Sequence, residues 1–345
     1  MKIVFTKLHK ICALSAYLHC SISMFGQSTD STLAKLEFSG SIDTYFRNNL
    51  QSDKFDAPAT SFANLNGFAL GMVNIKAHQE TKDGGFVADL VFGPRGTDAV
   101  FASPYYSASG NIINQLYVYW KPKENWTLTL GNYNTYLGYE LISPVQNFHY
   151  STSYLFSYGP FSHSGLKIEK ELTKSRSILF TIMNPSDLTE MNALDLYSYG
   201  AQFKISDSYF NLLYGKQSND SKPTILLDYT ASHTLKEKGT IGFNSALNWT
   251  SETGGYAGLA LYPSAPISSE VTIGCRFEYF HELSNGGPAY GSGTNTFDAT
   301  ATLNYKKDNL RLLAEIRLDH ASTPQFLQST RHAMSSFLIA SIYSF

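Results

Sequence analysis

Hydrophobic and polar positions alternate with period two along most of the chain. Leu36, Phe38, Gly40, Ile42 and Phe46 share one parity, while Glu37, Ser39, Ser41, Asp43, Tyr45 and Arg47 share the other. The same alternation runs through 271–280, 297–306 and 310–319. Successive side chains of a β-strand point to opposite faces, so the pattern predicts strands with one greasy and one polar face. It divides the chain into sixteen segments, near 36–48, 66–80, 86–94, 111–121, 126–136, 161–172, 176–184, 196–206, 208–218, 224–235, 239–249, 255–263, 270–283, 296–306, 310–320 and 333–345. Many run about 9–13 residues, close to the roughly 9–11 that a tilted strand needs to cross hydrocarbon. Strands of globular domains average roughly 5–6.

The connections alternate too. Short polar turns at 81–85, 122–125, 173–175, 236–238 and 307–309 separate longer links at 49–65, 95–110, 137–160, 185–195, 284–295 and 321–332; two further links, 219–223 and 250–254, are short. Short turns on one rim and long loops on the other mark an outer-membrane barrel. A soluble sandwich shares the alternation but not the strand length or this asymmetry. The expected fold is therefore all-β: a transmembrane antiparallel up-and-down barrel of about 16 strands, with 14–18 allowed, forming one domain over 27–345.

Composition agrees. Charged residues make up 16%, against roughly 25% in soluble domains. With 23 Phe and 23 Tyr, and no run of about 18 apolar residues, a helical membrane protein is excluded. Residues 1–26 read as an export signal peptide: Lys2, Lys7 and Lys10, a modestly apolar stretch over 11–22, then Gly26, Gln27 and Ser28. Its removal would take away three lysines and no acids, moving the formal charge from −2 to −5. That is no nucleic-acid binder. It would also leave Cys275 as a single thiol, a small apolar wall residue rather than half of an internal disulfide. Trp120 and Trp126 bracket a short turn, with Tyr117, Tyr119 and Tyr133 nearby, which places these rings at the headgroup level.

Phe337, Ile339, Ser341, Tyr343 and Phe345 alternate up to the last residue. A terminal aromatic after alternating apolar residues resembles the signal by which barrels are recognised for insertion. Tyr343 and Phe345 are thus the expected contacts of the barrel-assembly machinery.

Gln115-Leu116-Tyr117-Val118-Tyr119-Trp120, then Leu128-Thr129-Leu130-Gly131-Asn132-Tyr133, Gly138-Tyr139-Glu140 and the stretch 147–165 together resemble the β-barrel porins of Gram-negative outer membranes, the OmpL-like porin type. The resemblance extends over most of the mature chain and is clearest over 111–170. It implies a porin-like barrel in the bacterial outer membrane and brings no catalytic residues with it.

Sixteen strands leave an aqueous lumen, whereas about eight would be filled by side chains. The expected function is a water-filled channel for small polar solutes. The expected partners are these solutes and outer-membrane lipid; no enzyme activity, cofactor, metal or nucleic acid enters. A homo-oligomer is allowed, although its contact face cannot be told from the lipid face. The inward parity carries both signs: Asp43, Arg47, Lys76, Asp89, Lys167, Glu169, Arg276, Glu278, Arg311, Glu315, Arg317 and Asp319. Such charges either line a pore and sort solutes or pair with one another and stiffen the wall. The link 137–160 is too long for a plain connection. It is expected to fold into the lumen and narrow it, with Glu140 and His149 at the constriction.

Two other functions compete. His149 and Ser151 stand two apart with Asn147 beside them, as in a phospholipase-like outer-membrane hydrolase whose histidine activates the serine. Long outer loops would equally suit a non-conducting surface platform. The Gly-rich stretch 286–293 lacks the Lys-Ser/Thr of a phosphate loop, and His281-Glu282 lacks a second histidine at zinc-binding spacing.

Overall fold

A computed structural model describes residues 34–51, 56–101, 106–235, 238–283 and 286–345. The export segment expected at 1–26 lies outside the described residues. Sixteen strands follow in order: β1 (Leu36–Asn49), β2 (Gly67–Glu80), β3 (Gly84–Phe92), β4 (Ile113–Lys123), β5 (Trp126–Asn134), β6 (Ser162–Thr173), β7 (Arg176–Met183), β8 (Ser198–Ile205), β9 (Ser208–Gly215), β10 (Thr224–Thr234), β11 (Thr240–Thr250), β12 (Gly254–Pro266), β13 (Val271–Glu282), β14 (Asn295–Lys307), β15 (Leu310–Ala321) and β16 (Ala333–Ser344). Two short helices, α1 (Pro94–Ala99) and α2 (Tyr154–Tyr158), interrupt the long links. Among the described residues no helix is long and apolar enough to cross a membrane.

Every strand pairs antiparallel with its sequence neighbour, and β1 pairs with β16 to close the ring. Closure leaves no unpaired edge, which is what lets a sheet stand in hydrocarbon. At the seam, Ile42 lies opposite Tyr343 and Phe46 opposite Ile339. The Phe345 amide donates to the Gly40 carbonyl at 3.0 Å, and the Gly40 amide donates back at 2.9 Å. A side chain at Gly40 would meet the Phe345 ring.

The sixteen segments expected from alternation are all present. Several boundaries shift by a few residues, and at β3 the glycines supply the physical reason. Gly84 and Gly85, expected in a turn, extend β3 instead, because their missing side chains let the Tyr119 backbone and ring lie against them. Of the aromatics expected at the headgroup level, Trp120 points outward. Tyr133 instead turns inward, buried, and shares a 2.5 Å hydrogen bond with Thr181.

The outer parity carries exposed large apolar side chains around the ring, among them Phe68, Phe180, Leu212, Leu247, Phe277, Ile316 and Ile339. Water would not tolerate such a belt, whereas lipid matches it.

Candidate functional site

The link between β5 and β6 turns into the barrel and runs along its inner face. Its first residues cross β8–β12. The Tyr136 hydroxyl donates to the Leu212 carbonyl at 2.8 Å, the Gly138 amide donates to Asp228 at 3.0 Å, and the Tyr139 ring stacks on Tyr262 at 4.5 Å. Further on, the Tyr150 hydroxyl donates to Asp43 of β1 at 2.5 Å, and the Tyr154 hydroxyl donates to Asp319 of β15 at 2.9 Å. The wall is cut to receive these rings. Gly200, Gly242 and Gly274 face Tyr136, Tyr139 and Phe148, and a side chain at any of them would collide with these aromatic residues, while one at Gly71 would strike the Asp43 carboxylate and the Tyr150 hydroxyl.

A loop taken out of solvent must find partners for its backbone groups, and β13–β15 supply them. Arg311 donates to the carbonyls of Pro144, Val145 and Phe148 at 3.1, 3.2 and 2.7 Å. Arg276 donates to the Ser151 carbonyl and Arg317 to that of Thr152, at 2.8 and 2.7 Å. Glu315 accepts the amides of Tyr150 and Ser151 at 3.0 and 3.3 Å. Glu278 accepts those of Tyr154 and Leu155 at 2.8 and 2.7 Å. This last carboxylate sits at the start of α2, where helical amides have no partner of their own. Ser153 caps the same turn by accepting from the Phe156 amide at 3.0 Å, and its own hydroxyl donates to Glu140.

Behind these contacts the charges neutralise one another. Arg276 grips Asp298 with two nitrogens at 3.1 and 3.2 Å and reaches Glu140 at 3.0 Å. Arg317 bridges Asp298 at 2.8 Å and Asp319 at 2.7 Å.

The structure thus gathers most of the residues singled out by alternation, and the two named on the long link, into one assembly. Asp43, Arg276, Glu278, Glu315, Arg317 and Asp319 on the wall are each at most 4% exposed, covered by the loop they hold, and Glu140 and His149 on the loop itself are buried to the same degree. Arg311 is half-buried. Arg47, on β1, is buried and donates to the Asp56 carbonyl at 3.4 Å. Lys167 and Glu169 stand apart on β6 as a partly exposed ion pair at 3.1 Å. Lys76 is half-buried on β2, and Asp89 accepts from Asn114 and Gln115 at 2.9 and 2.8 Å.

The His149–Ser151 pair that the hydrolase alternative needs is not formed. His149 Nδ1 pairs with the Thr302 hydroxyl at 2.7 Å, Ser151 Oγ accepts from Arg276 at 3.3 Å, and Asn147 bonds the Leu141 backbone. No hydrogen bond joins His149 to Ser151 among the described residues. Burial and the Arg276 charge push the His149 imidazole down to about 3, so it is neutral at physiological pH.

Alternation gave no signal for Arg95, which lies in a link. Pro94 opens α1 there, its fixed φ suited to a first helical position. The helix buries Arg95, which donates to the Ile142 and Tyr150 carbonyls at 2.8 and 3.2 Å. Between this helix, the inner loop and β1–β2 lies a cavity of about 540 Å³, lined in part by Tyr45, Gly71 and Tyr150.

A closed sixteen-stranded barrel, greasy outside and polar within, with a long loop held along its inner wall, is the architecture of an outer-membrane porin. A family model described as Putative beta-barrel porin-2, OmpL-like, matches residues 35–345, and the chain belongs to that family. It is accordingly a porin channel of the bacterial outer membrane. No curated protein matches the sequence. Several solved barrels match the fold. OmpF of Salmonella typhi has a TM-score of 0.60 at 12% identity, with 90% of this chain and 98% of that one covered. OmpT of Vibrio cholerae, in a form lacking loop L8, gives 0.59 at 13% identity, covering 91% and 100%. An anion-selective porin from Comamonas acidovorans gives 0.58 at 9% identity, covering 90% and 100%.

Proposed function

We propose that the barrel passes small polar solutes through a lumen narrowed by the 137–160 loop, and that it performs no catalysis. The observation that carries this reading is the set of buried charges on β13–β15, whose donors and acceptors are spent on the backbone of that loop. A surface platform would have no use for a loop fixed inward at such density. Buried and neutralised, these charges hold the constriction. The partly exposed Lys167 and Glu169 are left to act on passing ions. Small solutes and outer-membrane lipid are then the working partners. Tyr343 and Phe345, at the closing seam, are read as the segment offered to the assembly machinery.

Deleting residues 140–156 tests the constriction. Single-channel conductance in planar bilayers should rise at least about twofold, since removing a loop from a pore widens its narrowest section. Unchanged conductance in a correctly folded barrel sinks the reading.

A further inference from the structure

Arg95 spends Nε and Nη1 on two backbone carbonyls, but its Nη2 has no hydrogen-bond partner among the described residues. The residue is 3% exposed, and no carboxylate of the described residues lies within ion-pairing distance of its guanidinium, Asp43 acting on it only from farther off. Its guanidinium carbon sits 4.4 Å from the centre of the Phe62 ring and 5.3 Å from that of Tyr150. Aromatic faces ease the burial of a cation but do not replace a counter-charge. Nearby Thr60 is also buried, and its hydroxyl likewise has no partner. Both residues line the 540 Å³ cavity, together with Phe62, Phe101 and Tyr158. That volume falls within the range of small-molecule sites.

We propose that this cavity binds an aromatic carboxylate. One carboxylate oxygen takes the free Arg95 N–H, the Thr60 hydroxyl donates to the acid group, and the ring lies among Phe62, Phe101 and Tyr158. A guanidinium with an unused N–H is matched best by a planar anion. Asp98, three residues along α1, also lines the cavity and opposes the ligand's charge, which provides a control of opposite sign. The inference deepens the channel reading, because it names a solute class that would pause beside the inner loop.

The test is calorimetric titration of sodium benzoate into the full-length barrel refolded in detergent, with benzamide and inorganic phosphate as comparisons. Benzoate should bind saturably, and each comparison should bind at least about tenfold more weakly. Arg95→Gln should weaken benzoate about tenfold or more, as expected for a lost charge-assisted hydrogen bond. Since Arg95 also holds the loop, two variants that spare its backbone contacts are needed. Thr60→Val should weaken benzoate severalfold, and Asp98→Asn should strengthen it. Benzamide or phosphate binding as tightly as benzoate, or Asp98→Asn weakening it, overturns the proposal. Conductance without benzoate binding defeats this site and leaves the channel standing. Binding by a barrel that never conducts does the reverse.

Discussion

The inner wall differs from one side to the other. On β13–β15 the inward residues at the level of the loop include Arg276, Glu278, Asp298, Glu315, Arg317 and Asp319, each essentially buried. On β7–β9 they include Leu179, Thr181, Met183, Ser198, Asn211 and Leu213. The loop meets the two sides with different chemistry. Leu137 packs against Met183, Leu213 and Leu226, whereas the backbone of 144–155 is gripped by guanidinium and carboxylate groups. Apolar contact is non-directional and sets only how much surface is covered. Charge-assisted hydrogen bonds have geometry, so they fix where each loop residue stands. The difference teaches that the charged side determines the register of the loop and the apolar side determines its closeness to the wall.

The largest effect should follow from breaking the charged side. Arg276→Ala leaves Asp298 and Glu140 buried without their guanidinium, and removing one partner of a buried pair costs about 3–5 kcal/mol. Hydrogen exchange should show the loop amides over 149–155 losing protection while the strands of the barrel stay protected. Arg276→Lys should not rescue it, since an ammonium cannot reproduce the two-pronged grip on Asp298. Full protection in the alanine variant would refute the register argument. The apolar side should give less. Leu213→Ala should cost about 2 kcal/mol, the low end for a buried leucine, because Leu137 lies on a loop and can follow the wall inward. Thermal unfolding should register the loss, and exchange over 149–155 should stay as it was.

Which parts of this were legible in the sequence follows from locality. Strand parity is a local property, so alternation alone places Arg276, Glu278, Arg317 and Asp319 inward, and the sixteen strands with them. Pairing is not local. Arg276 lies 136 residues from Glu140 and 125 from Ser151, and nothing in either segment announces the other. That is why charges which alternation offers either as pore lining or as paired wall stiffeners are in fact spent on the loop. Arg95 shows a different blindness. It stands on a short helix inside a link, where neither a strand nor a long-helix period applies, so only the fold reveals that it is buried with an N–H to spare.

The smallest expected effect tests the charged side most finely. His149 is buried beside Arg276, with Asp298 and Arg311 also acting on it, and Nδ1 bonds Thr302. Its imidazole is held down at about 3, whereas in a released loop it would titrate near 6.5. The held state therefore binds fewer protons across this window. The stability that His149 gives to the seated loop is complete above about pH 6.5 and falls as the pH drops toward 3. Between pH 7 and 5.5 the released loop gains about 1 kcal/mol from protonation. Exchange at 149–152 should accelerate several-fold over that interval, after correction for the intrinsic pH dependence of exchange. In His149→Asn, which keeps a hydrogen-bonding group for Thr302 and cannot titrate, the acceleration should vanish. If the wild-type loop loosened no more than the variant on acidification, the charged side would hold its register without any contribution from this neutral histidine.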